Sequence, residues 1–168
     1  MSAVTSRPLS LLHIDFQDLY ARHLCRHSQL GVNVAHLAAL FGLWYAVYAC
    51  VYWLVRVEWV PIALAAAYLA ALVPNTPVRV LVATAFFLAA FLAAVFWIPE
   101  LPFWAYLLMI PAFYKIQAWS HKLFHVEHDM TEFNQRYPKG FVLFVVLLFY
   151  EVPIVLNYLI FGRKDWAM

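Results

Sequence analysis

Five apolar stretches account for most of this chain and restrict it to folds that a membrane can hold. Of 168 residues, 66% are hydrophobic and 12% are charged, which leaves too few polar side chains to cover a soluble core of this size. About 20 apolar residues cross the hydrocarbon layer as a helix. The sequence therefore predicts an all-α membrane domain over residues 1–168, a multi-pass helical bundle with four to five transmembrane helices. The candidate spans are Leu37–Val55, Trp59–Val73, Val80–Ile98, Phe103–Trp119 and Phe141–Phe161.

Proline-rich turns and two polar segments divide the chain further. Pro74–Pro77 and Pro99–Pro102 are short loops, so the spans that they join are expected to be antiparallel. Pro153 interrupts the last apolar stretch, which is expected either to span or to re-enter as a broken helix. The predicted division is 1–36, an amphipathic segment; 37–119, four spans; 120–140, a histidine-rich segment; and 141–161, the last helix.

Positive charge indicates the orientation in the membrane. With the N-terminus in the cytoplasm, eight of the 11 Lys and Arg residues lie on the cytoplasmic side, and Arg56, Arg163 and Lys164 lie outside. Both polar segments then face the cytoplasm, in either a bacterial inner membrane or the endoplasmic reticulum. The N-terminus lacks the pattern of a removable signal peptide. A net charge of +2 is too small to indicate a nucleic-acid partner.

Six of the seven histidines fall into two groups at the ends of predicted spans. His23, His27 and His36 precede the first span. His23 and His27 have the i, i+4 spacing of one helical face, whereas His36 joins them only if the helix breaks, which Gly31 could allow. His13 stands alone and is expected on the surface. The grouping favours a metal site over separate interface histidines.

The second group, His121, His125 and His128, follows the fourth span. If the helix continues, His125, His128 and Glu132 lie about +40°, −20° and +20° from His121 around its axis. All four would share one face, with Glu132 as a ligand or as the residue that orients one. The candidate metal ligands are therefore His23, His27, His36, His121, His125 and His128.

Glu151 is the second candidate catalytic carboxylate, beside Glu132. It lies about ten residues into the last apolar stretch, where a carboxylate is costly unless it is paired, protonated or facing water. A straight helix would place it about 15 Å from the cytoplasmic boundary, too far to ligate a metal there unless Pro153 lets the segment fold back. The other interpretation is a protonated glutamate that hydrogen-bonds a neighbouring helix.

The ligand types indicate the metal and the reaction. Imidazole with carboxylate suits iron, zinc or manganese, and the scarcity of thiols disfavours copper(I) and iron–sulfur clusters. The sequence has no G-x-S-x-G or H-E-x-x-H motif, which disfavours a hydrolase. An iron site at a membrane boundary favours oxidation of an acyl chain whose head stays at the interface.

Four short segments together form a recognisable pattern: Leu19–His27, Asn33–His36, Gln117–Phe124 and Phe149–Val152. They resemble the Mpo1-like family of membrane 2-hydroxy fatty acid dioxygenases. The resemblance implies an Fe(II)-dependent enzyme that uses dioxygen as co-substrate to shorten a membrane-resident 2-hydroxy fatty acid by one carbon.

Residue by residue, the resemblance matches His27, His36 and His121 to the family's histidines. Ser120 and His125 stand where the family has glycine and glutamate. Two other functions stay open: a di-iron fatty-acid hydroxylase or desaturase, which needs two metals and an electron donor, and a non-catalytic membrane protein that binds haem or a metal. The sequence indicates no oligomeric state.

Overall fold

The described residues form seven α-helices and no strand, as expected for an all-α protein. The structure is a computed structural model, and it describes Leu11 and residues 13–124, 131–137 and 140–162. Leu30–Val55, Val78–Trp97 and Phe141–Phe161 are long and apolar enough to cross a membrane, and Trp59–Leu72 is a shorter apolar helix. The helices are α1 Phe16–His27, α2 Leu30–Val55, α3 Trp59–Leu72, α4 Val78–Trp97, α5 Phe103–Leu123, α6 Thr131–Arg136 and α7 Phe141–Leu156, which continues as a π-helix over Asn157–Phe161.

The first apolar helix begins seven residues earlier than predicted, because the chain breaks between α1 and α2. Gln29 is extended, with φ −106° and ψ 139°. The side-chain amide of Asn33 donates to the carbonyls of His27 at 2.7 Å and Gln29 at 2.8 Å, and so provides donors for carbonyls that the break exposes. The expected break therefore exists, but it lies at Ser28–Gln29 rather than at Gly31.

Gly31 instead lies inside α2 and lets the ring of Phe124, the residue that follows α5, approach closely. A Cβ at Gly31 would lie 2.2 Å from the ring of Phe124, and one at Gly42 would lie 2.3 Å from the ring of Phe113. The residue numbers rise along α2 as they fall along α5, so the two helices are antiparallel. They form the most extensive helix pair in the described structure, which places the start of α2 beside the end of α5.

Pro153 determines how α7 is attached to the bundle. It lies inside α7, and because proline has no N–H, the carbonyl of Phe149 four residues earlier loses its usual helical donor. The hydroxyl of Tyr68 on α3 donates to that carbonyl at 2.6 Å. On the next residue, the Tyr150 hydroxyl accepts from Asn75 at 2.8 Å and donates to the carbonyl of Leu11 at 3.0 Å. These contacts fix α7 immediately before Glu151.

Candidate metal centre

Four histidines from three helices meet where the start of α2 lies beside the end of α5. His23, His27 and His36 are buried and His121 is half-buried. The ring centroids are 4.4 Å apart for His23 and His27, 4.5 Å for His27 and His36, and 4.7 Å for His36 and His121. The structure thus brings residues about 100 positions apart in the sequence into one cluster.

Each helix supplies its histidines for a local reason. The i, i+4 spacing on α1 stacks the rings of His23 and His27 at an interplanar angle of 19°. The break at Ser28–Gln29 lets His36 approach from α2, edge-on to His27. The antiparallel packing of α2 on α5 then brings His121 to within 5.2 Å of His27, measured between ring centroids.

Glu151 lies beside this cluster, although a straight helix from the membrane boundary was expected to carry it about 15 Å away. Its Oε1 is 3.7 Å from Nε2 of His36. The side-chain amide of Gln117 donates to the same oxygen at 2.5 Å. His36 and Gln117 lie near the end of the bundle where α2 begins and α5 ends. Because α7 packs against this end, Glu151 reaches the cluster there.

The neighbours of His36 determine which of its ring nitrogens carries the proton. Nδ1 lies 3.1 Å from the carbonyl oxygen of Val32, which can only accept a hydrogen bond. Nδ1 also lies 3.0 Å from Oγ of Ser120, whose own hydroxyl donates to the carbonyl of Gln117 at 2.7 Å. Because both partners accept, Nδ1 carries a hydrogen, and Nε2 is the ring nitrogen that faces Glu151.

At 3.7 Å from a carboxylate oxygen, Nε2 of His36 either carries a second proton, which makes the contact an ion pair, or offers its lone pair to a metal ion that Glu151 also faces. Fixing of the other ring nitrogen by a carbonyl is also what orients histidines that bind metals. Ser120 and Val32 therefore hold His36 in the tautomer that a metal ligand needs, and Gln117 holds the carboxylate.

The donor atoms fit one metal ion. One ligand atom each from His27, His36 and His121, or from His23, His27 and Glu151, lies within 4.8 Å of the others. Around an ion bound at about 2.1 Å, ligand atoms lie about 3 to 4 Å apart, so modest side-chain movements complete the coordination. Asn33 adds a buried amide oxygen that has no hydrogen-bond partner among the described residues. The set is imidazole with one carboxylate, which suits iron, zinc or manganese.

The histidine face expected after the fourth span falls mostly outside the described residues and stays a prediction. α5 ends at Leu123 and α6 begins at Thr131, so the helix that carries His121 stops before His125. It ends there because Phe124 leaves the helical conformation while its N–H still bonds to the carbonyl of Ser120 at 3.1 Å. His125 and His128 lie outside the described residues, as does the side chain of Glu132. His13 is exposed, as expected.

Sequence reasoning did not find the supporting roles of Gln117 and Ser120. With His121 they have i, i+3 and i+4 spacing, which is one helical face, and that pattern was the available signal.

Tyr20 on α1 is fully buried. Burial, with a contribution from Tyr158, raises the pKa of Tyr20 to about 12, against a smaller opposing effect of Asn157. The phenol is therefore neutral at physiological pH.

Comparison of the chain with protein-family models, with curated proteins and with solved structures found no match. The resemblance to the Mpo1-like family therefore depends on the short segments that carry it. His27, His36 and His121, the three histidines that the resemblance matches, also form one of the two groups that could hold a metal.

Proposed function

We propose that this protein is a membrane Fe(II)-dependent dioxygenase that oxidises a fatty acyl substrate. The proposed reaction is the alpha-oxidation of a 2-hydroxy fatty acid, in which the chain is shortened by one carbon. The observation that carries the proposal is the convergence of His27, His36 and His121 with Glu151 inside the bundle.

The choice of iron follows from the donor set together with the family resemblance. Imidazoles and a carboxylate that leave positions open are typical of non-haem iron oxygenases. Bound there, Fe(II) would supply the activation of dioxygen beside the substrate. The protein's own residues do the rest: His27, His36 and His121 would hold the ion, Glu151 would balance its charge, and Gln117 and Ser120 would orient these ligands.

The surroundings suit an acyl substrate with a polar head. His23, His27 and His36 have at most 2% of their surface exposed, so little bulk water reaches this side of the cluster. His121, which is half-buried, lies on the more open side. The head of a substrate would approach there while its tail stays in an apolar environment.

For the membrane arrangement we propose that α2, α3, α4 and α5 cross the bilayer with the histidine end toward the cytoplasm. We place α7 across that end as a re-entrant helix. Twelve residues of a spanning helix would rise by about 18 Å, yet four contacts spread over Phe149–Phe161 reach residues near the histidine end of the bundle. These contacts pair Phe149 with Tyr68, Tyr150 with Asn75, Tyr158 with Ser28, and Phe161 with Arg79.

A di-iron hydroxylase is the second candidate, because the described residues contain two groups of side chains that could each hold a metal ion. The sets share His27, and a neutral imidazole offers one lone pair to one ion, so the geometry favours a single metal. Haem is disfavoured, because four imidazole rings with neighbouring centroids 4.4 to 5.2 Å apart leave no flat space for a porphyrin.

Metal analysis of protein purified in mild detergent and reconstituted anaerobically with Fe(II) tests the proposal. We expect one iron per chain, no Soret band, and release of a shortened product from a 2-hydroxy fatty acid only when dioxygen is present. Two irons per chain would favour the di-iron candidate.

The matched variants are His121→Ala and His13→Ala. The first removes a clustered histidine and the second an exposed one, so only the first should abolish iron binding and oxidation. Equal iron content and activity in both variants would overturn the proposed site.

A further inference from the structure

The ring of His23 is oriented differently from the other three rings of the histidine cluster. It is nearly parallel to the ring of His27, with an interplanar angle of 19° and centroids 4.4 Å apart. The three pairs formed by His27, His36 and His121 are instead steeply inclined, at 85°, 86° and 69°. This difference decides which of the four rings can share one metal ion.

The lone pair of an imidazole nitrogen lies in the plane of the ring, so a bound ion lies close to that plane. An ion about 2.1 Å from the nitrogen lies about 3 Å from the centre of the ring. The planes of His23 and His27, inclined at only 19° and stacked, do not meet so close to the rings. One ion therefore cannot lie in both planes, whereas the inclined planes of His27, His36 and His121 can share one.

Packing keeps His23 in this stacked position. Its surface is only 2% exposed, and the ring of Phe133 on α6 lies against it, with centroids 6.0 Å apart and an interplanar angle of 56°. Because buried side chains are closely packed, turning His23 toward an ion bound to His27 would require its neighbours to move as well.

The carboxylate of Glu151 is an acceptor that His23 can reach. One ligand atom each of His23, His27 and Glu151 lies within 4.8 Å of the others. A neutral imidazole carries one N–H, and a buried N–H is nearly always hydrogen-bonded. The contacts with Gln117 and His36 both use Oε1 of Glu151, and a carboxylate accepts several hydrogen bonds through its two oxygens. A small movement would thus let His23 donate to Glu151 without displacing Gln117.

We infer that His23 is not a ligand of the ion held by His27, His36 and His121, but a positioning residue that donates a hydrogen bond to Glu151. The inference rests on the proposed function in so far as it assumes a metal ion at this centre. Together with Gln117, His23 would hold the carboxylate from two different helices. The same stacking leaves no place for a second ion bound by both His23 and His27, which favours one metal per chain.

Binding of Co(II) tests the inference without turnover, because the visible absorption bands of Co(II) depend on its ligands and their geometry. His23→Phe keeps a ring that can stack on His27 but removes both ring nitrogens. We expect it to saturate at one Co(II) per chain with wild-type bands, at an affinity about 10- to 100-fold lower. His23→Gln restores a side-chain donor and should recover most of the affinity. In the control His121→Ala, which removes a proposed ligand, the bands should change or disappear.

Two results would overturn the inference. Altered bands in a folded His23→Phe protein would show that His23 is a ligand, and an unchanged affinity would show that its ring only packs. If His23→Phe does not fold, His23→Leu also lacks the ring nitrogens, and its bands and affinity decide the same question.

A double-mutant cycle with Glu151→Ala shows where His23 acts. If its hydrogen bond goes to the carboxylate, His23→Phe should lower Co(II) affinity by no more than about twofold once Glu151 is replaced. A loss there as large as in the wild-type background would show that His23 acts elsewhere, and would reject the positioning role.

The wild-type protein separates this inference from the proposed function. Failure to bind either Co(II) or Fe(II) would reject the metal centre and both proposals with it. Metal binding without oxidation of a 2-hydroxy fatty acid would reject the dioxygenase alone, since the His23 measurements need only the ion. Oxidation by the wild type together with altered Co(II) bands in His23→Phe would reject the positioning role alone.

Discussion

The two ends of the α2 helix both bring a carboxylate to a nitrogen-bearing side chain, but they do so in opposite ways. At its C-terminal end Arg56 binds Glu100 through two hydrogen bonds of 2.6 and 2.8 Å and lies over the ring of Trp53. About half of each charged side chain is exposed. The charges match, and the pair is complete without any further ligand.

At its N-terminal end, His36 and Glu151 are 1% and 16% exposed and 3.7 Å apart. The exposed pair carries a permanent positive charge on Arg56, whereas His36 gains one only by protonation of Nε2. A carboxylate beside a histidine can therefore exchange that proton for a metal ion, which a carboxylate beside an arginine cannot do.

The largest expected effect comes from removing the charge of Glu151, and the same change at Glu100 is the control. Glu151→Gln keeps an oxygen that can accept from Gln117 but removes the negative charge, so we expect iron affinity to fall by more than about 100-fold. Glu100→Gln should leave iron binding unchanged, because it alters the self-neutralised pair. Titration of the purified proteins with Fe(II) measures both. Wild-type affinity in Glu151→Gln would mean that His36 and Glu151 form a protonated ion pair instead.

The next effect comes from the residues that orient the ligands. Gln117→Ala and Ser120→Ala should each lower iron affinity by about 10- to 100-fold, the range typical of outer partners of metal ligands. Ser120→Thr keeps the hydroxyl and should restore most of the affinity. A Ser120→Ala protein with normal affinity and normal thermal stability would show that the tautomer of His36 does not depend on this hydroxyl.

A smaller effect is expected where the helices that form the site approach each other. Gly31→Ala places a Cβ 2.2 Å from the Phe124 ring, and relief of that overlap should cost about 1–3 kcal/mol of stability. Gly140→Ala is the control, because no atom lies within 4 Å of the added Cβ. Thermal unfolding in detergent compares them, and an equal melting temperature would show that the ring moves aside freely.

The smallest effect is expected at the exposed end. Arg56→Ala removes a surface ion pair, which typically contributes at most about 1 kcal/mol. We expect a small decrease in melting temperature and no change in iron content. A loss of iron in Arg56→Ala would show that the exposed ion pair and the metal centre at the two ends of α2 are not independent.

Much of the fold could be predicted from the sequence, because long apolar stretches bounded by proline-rich turns leave helices as the one solution in a membrane. The predicted start of Phe103–Trp119 agrees with α5, which continues to Leu123. The start of α2 was predicted too late, since hydropathy marks where apolar residues begin and not where helical hydrogen bonds begin. Asn33 and His36 are polar but lie inside the helix, buried against neighbours that accept hydrogen bonds from the Asn33 amide nitrogen and from His36 Nδ1.

The candidate site could be predicted in part. The i, i+4 pair on α1 and the shared side of the two histidine groups suggested that His27 and His121 could meet, and the structure places them together; their binding of a metal stays a prediction. The position of Glu151 could not be predicted, because it depends on how α7 packs across the other helices. That packing arises from tertiary contacts such as those of Tyr68 and Asn75, which no local pattern reveals.

The hydrogen bond from Tyr68 to the carbonyl of Phe149 has a mechanical consequence. A proline within a helix usually adds freedom to bend. Here the Phe149 carbonyl that Pro153 leaves without a helical donor bonds to α3 instead, two residues before Glu151. The missing hydrogen bond in α7 is thus also a point where α7 is attached. The position of the Glu151 carboxylate depends on a proline on one helix and a phenol on another, neither of which is a proposed metal ligand.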